Sequence, residues 1–160
     1  MPKKFEVILY TDGSCKGNGL EHNVGGWGFI LDFDGRTRQG SGWVSNTTNN
    51  AMELQAIIEG IRALKRPCNV KVVTDSTYVC RNANSIREFR DRNWHTKSGK
   101  KMANIDSWMS LIQLCQHGQH HLTFEHIKGH AGHAQNEECD RLATRAAAQG
   151  QAAVAAAKAQ

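Results

Sequence analysis

At 160 residues, 39% of them hydrophobic, the chain is sized for one domain with a substantial buried core. Its apolar runs fall short of the ~20 residues of a membrane span, and its N-terminal apolar stretch is too short for a signal peptide, so the expectation is a cytoplasmic protein without membrane contact. The net charge of +5 favours a polyanionic partner, while five scattered cysteines with no C-x-x-C pair argue against a disulfide framework or a thiolate zinc site.

In chain order, "KFEVILYTD" (4–12) reads as a first strand, followed by a Gly- and Asn-rich loop, "GSCKGNGLEHNV". "GGWGFILDF" (25–33) and "RTRQGSGWVS" (36–45) are two more strands, joined across Asp34-Gly35, a dipeptide favoured in tight hairpins. The period then changes: Leu54, Ile57, Ile58 and Ile61 recur at helical spacing, with Thr47, Thr48, Asn49 and Asn50 as N-cap candidates. "VKVVTD" (70–75) is a fourth strand. A helix linking two strands is a crossover, which makes the first and fourth strands parallel.

A second helix is expected around "STYVCRNANSIREFRDRN", broken near Asn82–Asn84. It leads into a basic stretch in which Arg81, Arg87, Arg90, Arg92, Lys97, Lys100 and Lys101 are opposed by only Glu88 and Asp91. Phe89 and Trp94 lie among these cations, a mixture suited to holding phosphates beside sugar or base faces. "IDSWMSLIQLCQH" is another helix, "LTFEHIK" a fifth strand, and "NEECDRLATRAAA" a last helix with Asn136 as its cap and Cys139, Leu142, Ala143 and Ala146 as its buried stripe. The alanine-rich residues 149–160 are expected to fray, leaving 1–148 as the domain. The fold class is α/β: a five-stranded mixed sheet with helices packed on it.

Two strands end in closely similar phrases, Thr-Asp-Gly-Ser at Asp12 and Thr-Asp-Ser-Thr at Asp75. Parallel neighbours would bring these carboxylates together at the strand ends, where open α/β sheets bind ligands. Glu53 lies on the helix face of Ile57, Gly60 and Leu64, beside the apolar stripe and in the first turn. Capping explains its position along the helix but not its face. Asp140 stands in the first turn or so of the last helix, next to the buried position Cys139. Converging carboxylates need neutralisation, and hard oxygen ligands select Mg²⁺, with Mn²⁺ as a substitute. Two such ions are suited to in-line displacement at a phosphodiester. In "HHLTFEHIKGHAGH", His126 and His130 have the i, i+4 spacing of a helical zinc pair, but Gly129 and the preceding strand argue against a helix there. His130, in a Gly-flanked loop, is suited to proton transfer or to easing product release.

Taken together, "YTDGSCKGN", "TTNNAMEL", "VVTDSTYV" and "IKGHAGHAQNEECD" resemble, in order and context, bacterial-type ribonuclease HI, over roughly residues 5 to 148. That resemblance implies the ribonuclease H-like fold and hydrolysis of the RNA strand of RNA–DNA hybrids, leaving 3′-hydroxyl and 5′-phosphate ends. It implies Asp12, Glu53, Asp75 and Asp140 as ligands of two metal ions, with His130 as a loop histidine. It implies hybrid contacts from Cys15, Lys16, Gly17, Asn18, Thr48, Asn49, Asn50, Thr77 and Asn104. Arg87, Arg90, Arg92, Trp94, Lys97, Lys100 and Lys101 would belong to a basic protrusion. The expected partner is the hybrid alone, bound by a monomer. The rivals are a non-catalytic nucleic-acid binder and another metal-dependent phosphotransferase on a related sheet. Departures from the pattern are the longer segment 19–24, Thr77 where Gln is frequent, and Ser85 and Phe89 where Trp is frequent.

Overall fold

The computed structural model describes residues 4–16, 23–129 and 132–159. Five strands form one sheet in the order β3-β2-β1-β4-β5: β1 (Phe5–Lys16), β2 (Val24–Phe33), β3 (Arg36–Ser45), β4 (Cys68–Thr74) and β5 (His121–His126). β1 to β3 are antiparallel neighbours, whereas β4 runs parallel to both β1 and β5. The helices are α1 (Asn49–Arg62), α2 (Thr77–Asn84), α3 (Ile86–Asp91), α4 (Ile105–Gly118) and α5 (Ala134–Lys158). The mixed sheet and the parallel pairing of the first and fourth strands follow the expectation from sequence.

Period-two alternation divides the side chains between two layers. Val7 and Leu9 of β1, Phe29 and Leu31 of β2, and Val70 and Val72 of β4 face the core under α1 and α4, where they meet Leu54, Ile57, Ile61, Trp108 and Leu111. The other layer is smaller: Ile30 packs with Cys139 and Leu142 of α5, alongside Tyr10. β2 carries Gly26 and Gly28 on this side. A Cβ at Gly26 would lie 2.0 Å from the Ala143 carbonyl oxygen, so the bare backbone is what lets α5 lie directly on the sheet. The β2–β3 turn is the Asp34-Gly35 hairpin, with φ of 51° and 86°, the doubly left-handed geometry that matches strand twist.

Several boundaries differ from expectation. β1 does not end at Asp12 but runs to Lys16, because its later residues still pair with β2, as far as Lys16 opposite Val24. The break in the second helical region falls at Ser85, between α2 and α3. Asn136 is not a cap: α5 starts at Ala134 with His133 as its N-cap, which puts Asn136 inside the helix and buries it. The alanine-rich residues continue α5 as far as Lys158. Extending a helix already anchored on a sheet needs no new nucleus, and alanine is the best helix former. Gly150 sits under Trp43 and Val24, so that packing reaches beyond residue 148.

Candidate active site

The site is built where β1 and β4 part. Their parallel pairing ends at Tyr10 opposite Val73, and beyond it β1 keeps only β2 as a partner. Asp12 follows on β1, and Asp75 is the residue after β4. Asp75 is held between two anchored neighbours. The fully buried Thr74 accepts the Ser76 N–H through Oγ1 at 3.1 Å, and Ser76 caps α2 by accepting the Val79 N–H at 3.1 Å.

Glu53 reaches the same place from α1. Thr48 caps that helix, its Oγ1 accepting the Ala51 N–H at 3.1 Å, and since α1 starts at Asn49, Glu53 falls just past the first turn instead of within it, where the helix meets β1. The contact depends on Gly13, where a Cβ would lie 2.5 Å from the Glu53 amide nitrogen. Glu53 is therefore buried on the core side of its helix, as its sequence position beside the apolar stripe implied. One ligand oxygen each from Asp12, Glu53 and Asp75 lies within 4.8 Å of the others. Asp140, on the second turn of α5, lines the same cleft outside that trio, together with Gly13, Ser14, Asn49, Asn136 and Glu137.

Electrostatics set this cleft apart. Asp12 is 6% exposed and Glu53 8%. Burial, then the charge of Asp75, pushes the Asp12 carboxyl up to about 7. Burial, then Asp12 and Asp75, raises Glu53 well above the usual carboxylate range. Compensation from the protein is partial: the Gly13 N–H donates to Asp12 Oδ1 at 3.0 Å and also offsets the Glu53 charge, but Glu53 Oε2 is buried with no hydrogen-bond partner. A buried carboxylate oxygen without a donor, facing two further carboxylates, fits a hard divalent cation, and in its absence the raised carboxyls keep their protons instead.

Other sequence candidates are placed as follows. Cys15 and Asn49 are joined, the Cys15 N–H donating to Asn49 Oδ1 at 2.8 Å, which ties the far end of β1 to the start of α1. Lys16 is the last residue of β1, and Thr48 and Asn50 are exposed beside them. Gly17, Asn18 and His130 lie outside the described residues. Gly129 itself lies against Asp75: a Cβ there would sit 3.0 Å from Asp75 Oδ2. Thr77 is exposed at the start of α2, its hydroxyl 3.4 Å from His126 Nε2.

Arg87, Arg90, Arg92, Lys97, Lys100 and Lys101 are all exposed, and none forms an ion pair among the described residues. A small turn carries the lysines: the Thr96 N–H donates to the Lys100 carbonyl at 2.7 Å, and Gly99 has φ of 86°. Trp94, read among the exposed cations, is half-buried and packed against the main core. Asn104 is half-buried too, and its Nδ2 donates to the Tyr78 hydroxyl at 3.0 Å. Gly13, Ser14, Asn136 and Glu137 line the cleft without having been sequence candidates. For Asn136 the available signal was its spacing of four from Asp140, which places both on one helix face.

Comparison with known proteins gives a consistent result. The family described as RNase H matches residues 4–148. A ribonuclease H of Neisseria gonorrhoeae is 45% identical over 144 residues, covering 89% of this chain and 96% of that protein. A ribonuclease HI of Neisseria meningitidis serogroup B is 44% identical over 144 residues, with the same coverage of 89% and 96%. Among solved structures, LC9-RNase H1, described as a type 1 RNase H with the type 2 active-site motif, superposes with a TM-score of 0.78 at 33% identity, covering 93% of this chain and 75% of that one. LC11-RNase H1, solved in complex with an RNA/DNA hybrid, shares the fold at a TM-score of 0.71 and 22% identity, covering 91% and 99%.

Proposed function

The chain belongs to the ribonuclease H family, and from that premise we propose that it hydrolyses the RNA strand of RNA–DNA hybrids, leaving 3′-hydroxyl and 5′-phosphate ends. The observation that carries the reading is the convergence of Asp12, Glu53 and Asp75 within 4.8 Å, in a cleft also lined by Asp140. In this reading the four carboxylates hold two Mg²⁺ ions, with Mn²⁺ as a substitute. Bound there, the ions supply Lewis-acid stabilisation of the phosphate and an activated water nucleophile.

The chain's own contribution is placement. Four secondary-structure elements, β1, α1, β4 and α5, fix the carboxylates, so their geometry is set before substrate arrives. The unsatisfied oxygen of Glu53 favours cation capture, because the ion replaces a missing donor. The segment joined through Cys15 and Asn49 lies beside the cleft and is assigned to the sugar side, where a 2′-hydroxyl distinguishes RNA from DNA. The exposed cations between Arg87 and Lys101 are assigned to phosphates of the hybrid farther from the cut. His130 is assigned to proton transfer or product release. The catalytic unit is assigned to residues 1–148, working as a monomer in the cytoplasm.

The test is direct. An end-labelled RNA is annealed to DNA in one sample and to RNA in another, then incubated with Mg²⁺ or with EDTA. Cleavage of the hybrid RNA alone, and only with metal, is the expected result. Cleavage of neither duplex while binding persists would turn the reading toward a non-catalytic binder, and cleavage of both would remove the hybrid specificity.

A further inference from the structure

Asn136 is not accounted for by the four carboxylates. It is 4% exposed, its Oδ1 is buried with no hydrogen-bond partner, and its side chain lines the acidic cleft. It does not serve the helix, since His133 is the N-cap of α5 and Asn136 lies inside the first turn. Asparagine is a mediocre helix former, and an unpaired buried amide oxygen costs stability. Two ordinary structural reasons for the residue are therefore missing.

The surroundings of that oxygen point to its partner. The cleft is lined by Asp12, Glu53, Asp75, Glu137 and Asp140, which when ionised offer acceptors only. With these groups ionised, as a bound cation would hold them, the donor for that oxygen has to arrive with whatever occupies the cleft. Asn136 lies one helical turn before Asp140, so both project from α5 toward the same side of the site. Mg²⁺ gives up its waters reluctantly and keeps several when held by few carboxylates, and those waters are donors.

We propose that Asn136 is a positioning residue of the cation site, its Oδ1 accepting a hydrogen bond from a hydration water that the divalent cation brings in on the Asp140 side. The inference rests on the cation reading above. It gives the buried amide oxygen its missing partner and anchors the cation's hydration to α5. The amide is suited to this because it accepts a hydrogen bond without adding a further negative charge.

The test compares Mg²⁺ binding by titration calorimetry with thermal unfolding in EDTA, on the full chain and on Asn136→Leu, Asn136→Asp and Asp12→Asn. Asn136→Leu is expected to unfold in EDTA at the wild-type temperature or above it, since it removes a buried unsatisfied oxygen. The same variant is expected to bind Mg²⁺ about tenfold more weakly, the low end of what loss of such a supporting partner costs. Asn136→Asp keeps an acceptor oxygen and is expected to bind at least as tightly as the wild type. Unchanged Mg²⁺ affinity in Asn136→Leu would overturn the proposal. So would a lower unfolding temperature of that variant in EDTA, because it would reveal a partner for the amide within the protein. If Asp12→Asn loses binding while Asn136→Leu does not, the cation site stands and only the role of Asn136 falls. If the wild type takes up no Mg²⁺, the cation reading and this role fall together.

Discussion

The acidic cleft and the basic stretch from Arg87 to Lys101 carry opposite charges on opposite kinds of scaffold. The cleft carboxylates come from β1, the end of β4, α1 and α5, and two of them are buried. The basic stretch hangs on α3, a short helix with no buried residue, and on a turn closed by backbone hydrogen bonds, with Asn93 and Trp94 in the left-handed region. Charges of the first kind are costly and have fixed geometry, so their effect depends on atomic position. Charges of the second kind are solvated and adjustable, so their effect depends on number and field. One molecule thus keeps its fixed, buried charges and its solvated, adjustable charges on separate scaffolds.

Four experiments would break or sharpen that contrast, in descending size of effect. Asp75→Asn should lower hybrid cleavage by about a thousandfold, the several kcal/mol expected of a lost metal ligand, while leaving the fold intact; single-turnover rates and circular dichroism check both halves. Near-wild-type rates would mean that the cleft does not act through fixed position.

The second concerns pH in the absence of metal. The Asp12 carboxyl is raised to about 7 in the folded protein, chiefly by burial, from an ordinary value of 3.8. The folded state therefore binds this proton more tightly than the unfolded state does. The associated stability is fully present below about pH 4 and is lost as pH rises toward 7. Asp12→Asn should accordingly be more stable than the wild type in EDTA at pH 8, by on the order of 2 kcal/mol, with little difference at pH 4. Thermal melts at both values measure this, and Mg²⁺ at pH 8 should restore the wild type but not the variant.

The third addresses the basic side. Replacing Lys97, Lys100 and Lys101 with alanine should weaken hybrid binding about tenfold at low salt and reduce the slope of log affinity against log salt by about 2. The cleavage rate of the bound hybrid should not change. A changed single-turnover rate would show that the stretch orients the scissile phosphate as well as holding the strand.

The smallest effect is expected at Thr48, which caps α1 and so supports Glu53. Thr48→Ala should cost about 1 kcal/mol in chemical denaturation. A disproportionate loss of Mg²⁺ affinity in that variant would show that the first turn of α1 is part of the cleft's rigidity.

Much of this was legible from residue order. Leu54, Ile57, Ile58 and Ile61 are all buried, and so are Cys139, Leu142, Ala143 and Ala146, because a 3.6-residue period can be satisfied only by turning one face inward. Asp34-Gly35 forms its turn because local backbone energetics decide it. Glu53 was conspicuous for lying beside the apolar stripe. The misses share a different cause. The extension of β1 past Asp12 depends on β2 being there to pair with it. Trp94 packs inward because the main core offers it surface, which the alternation of cations around it does not encode. Asn136 looked like a cap because its residue type is common there, and only the start of α5 at Ala134 moved it inside.

By itself, then, the sequence determined the elements, the parallel crossover and the identity of the carboxylates, since each depends on the period, turn chemistry and charge of neighbours along the chain. Tertiary structure alone decided that three carboxylate oxygens lie within 4.8 Å of one another, and that Glu53 Oε2 and Asn136 Oδ1 are buried without a donor. Those are relations between elements distant in sequence. Their energies arise from shared burial and mutual field, and neither exists until β1, β4, α1 and α5 have come together.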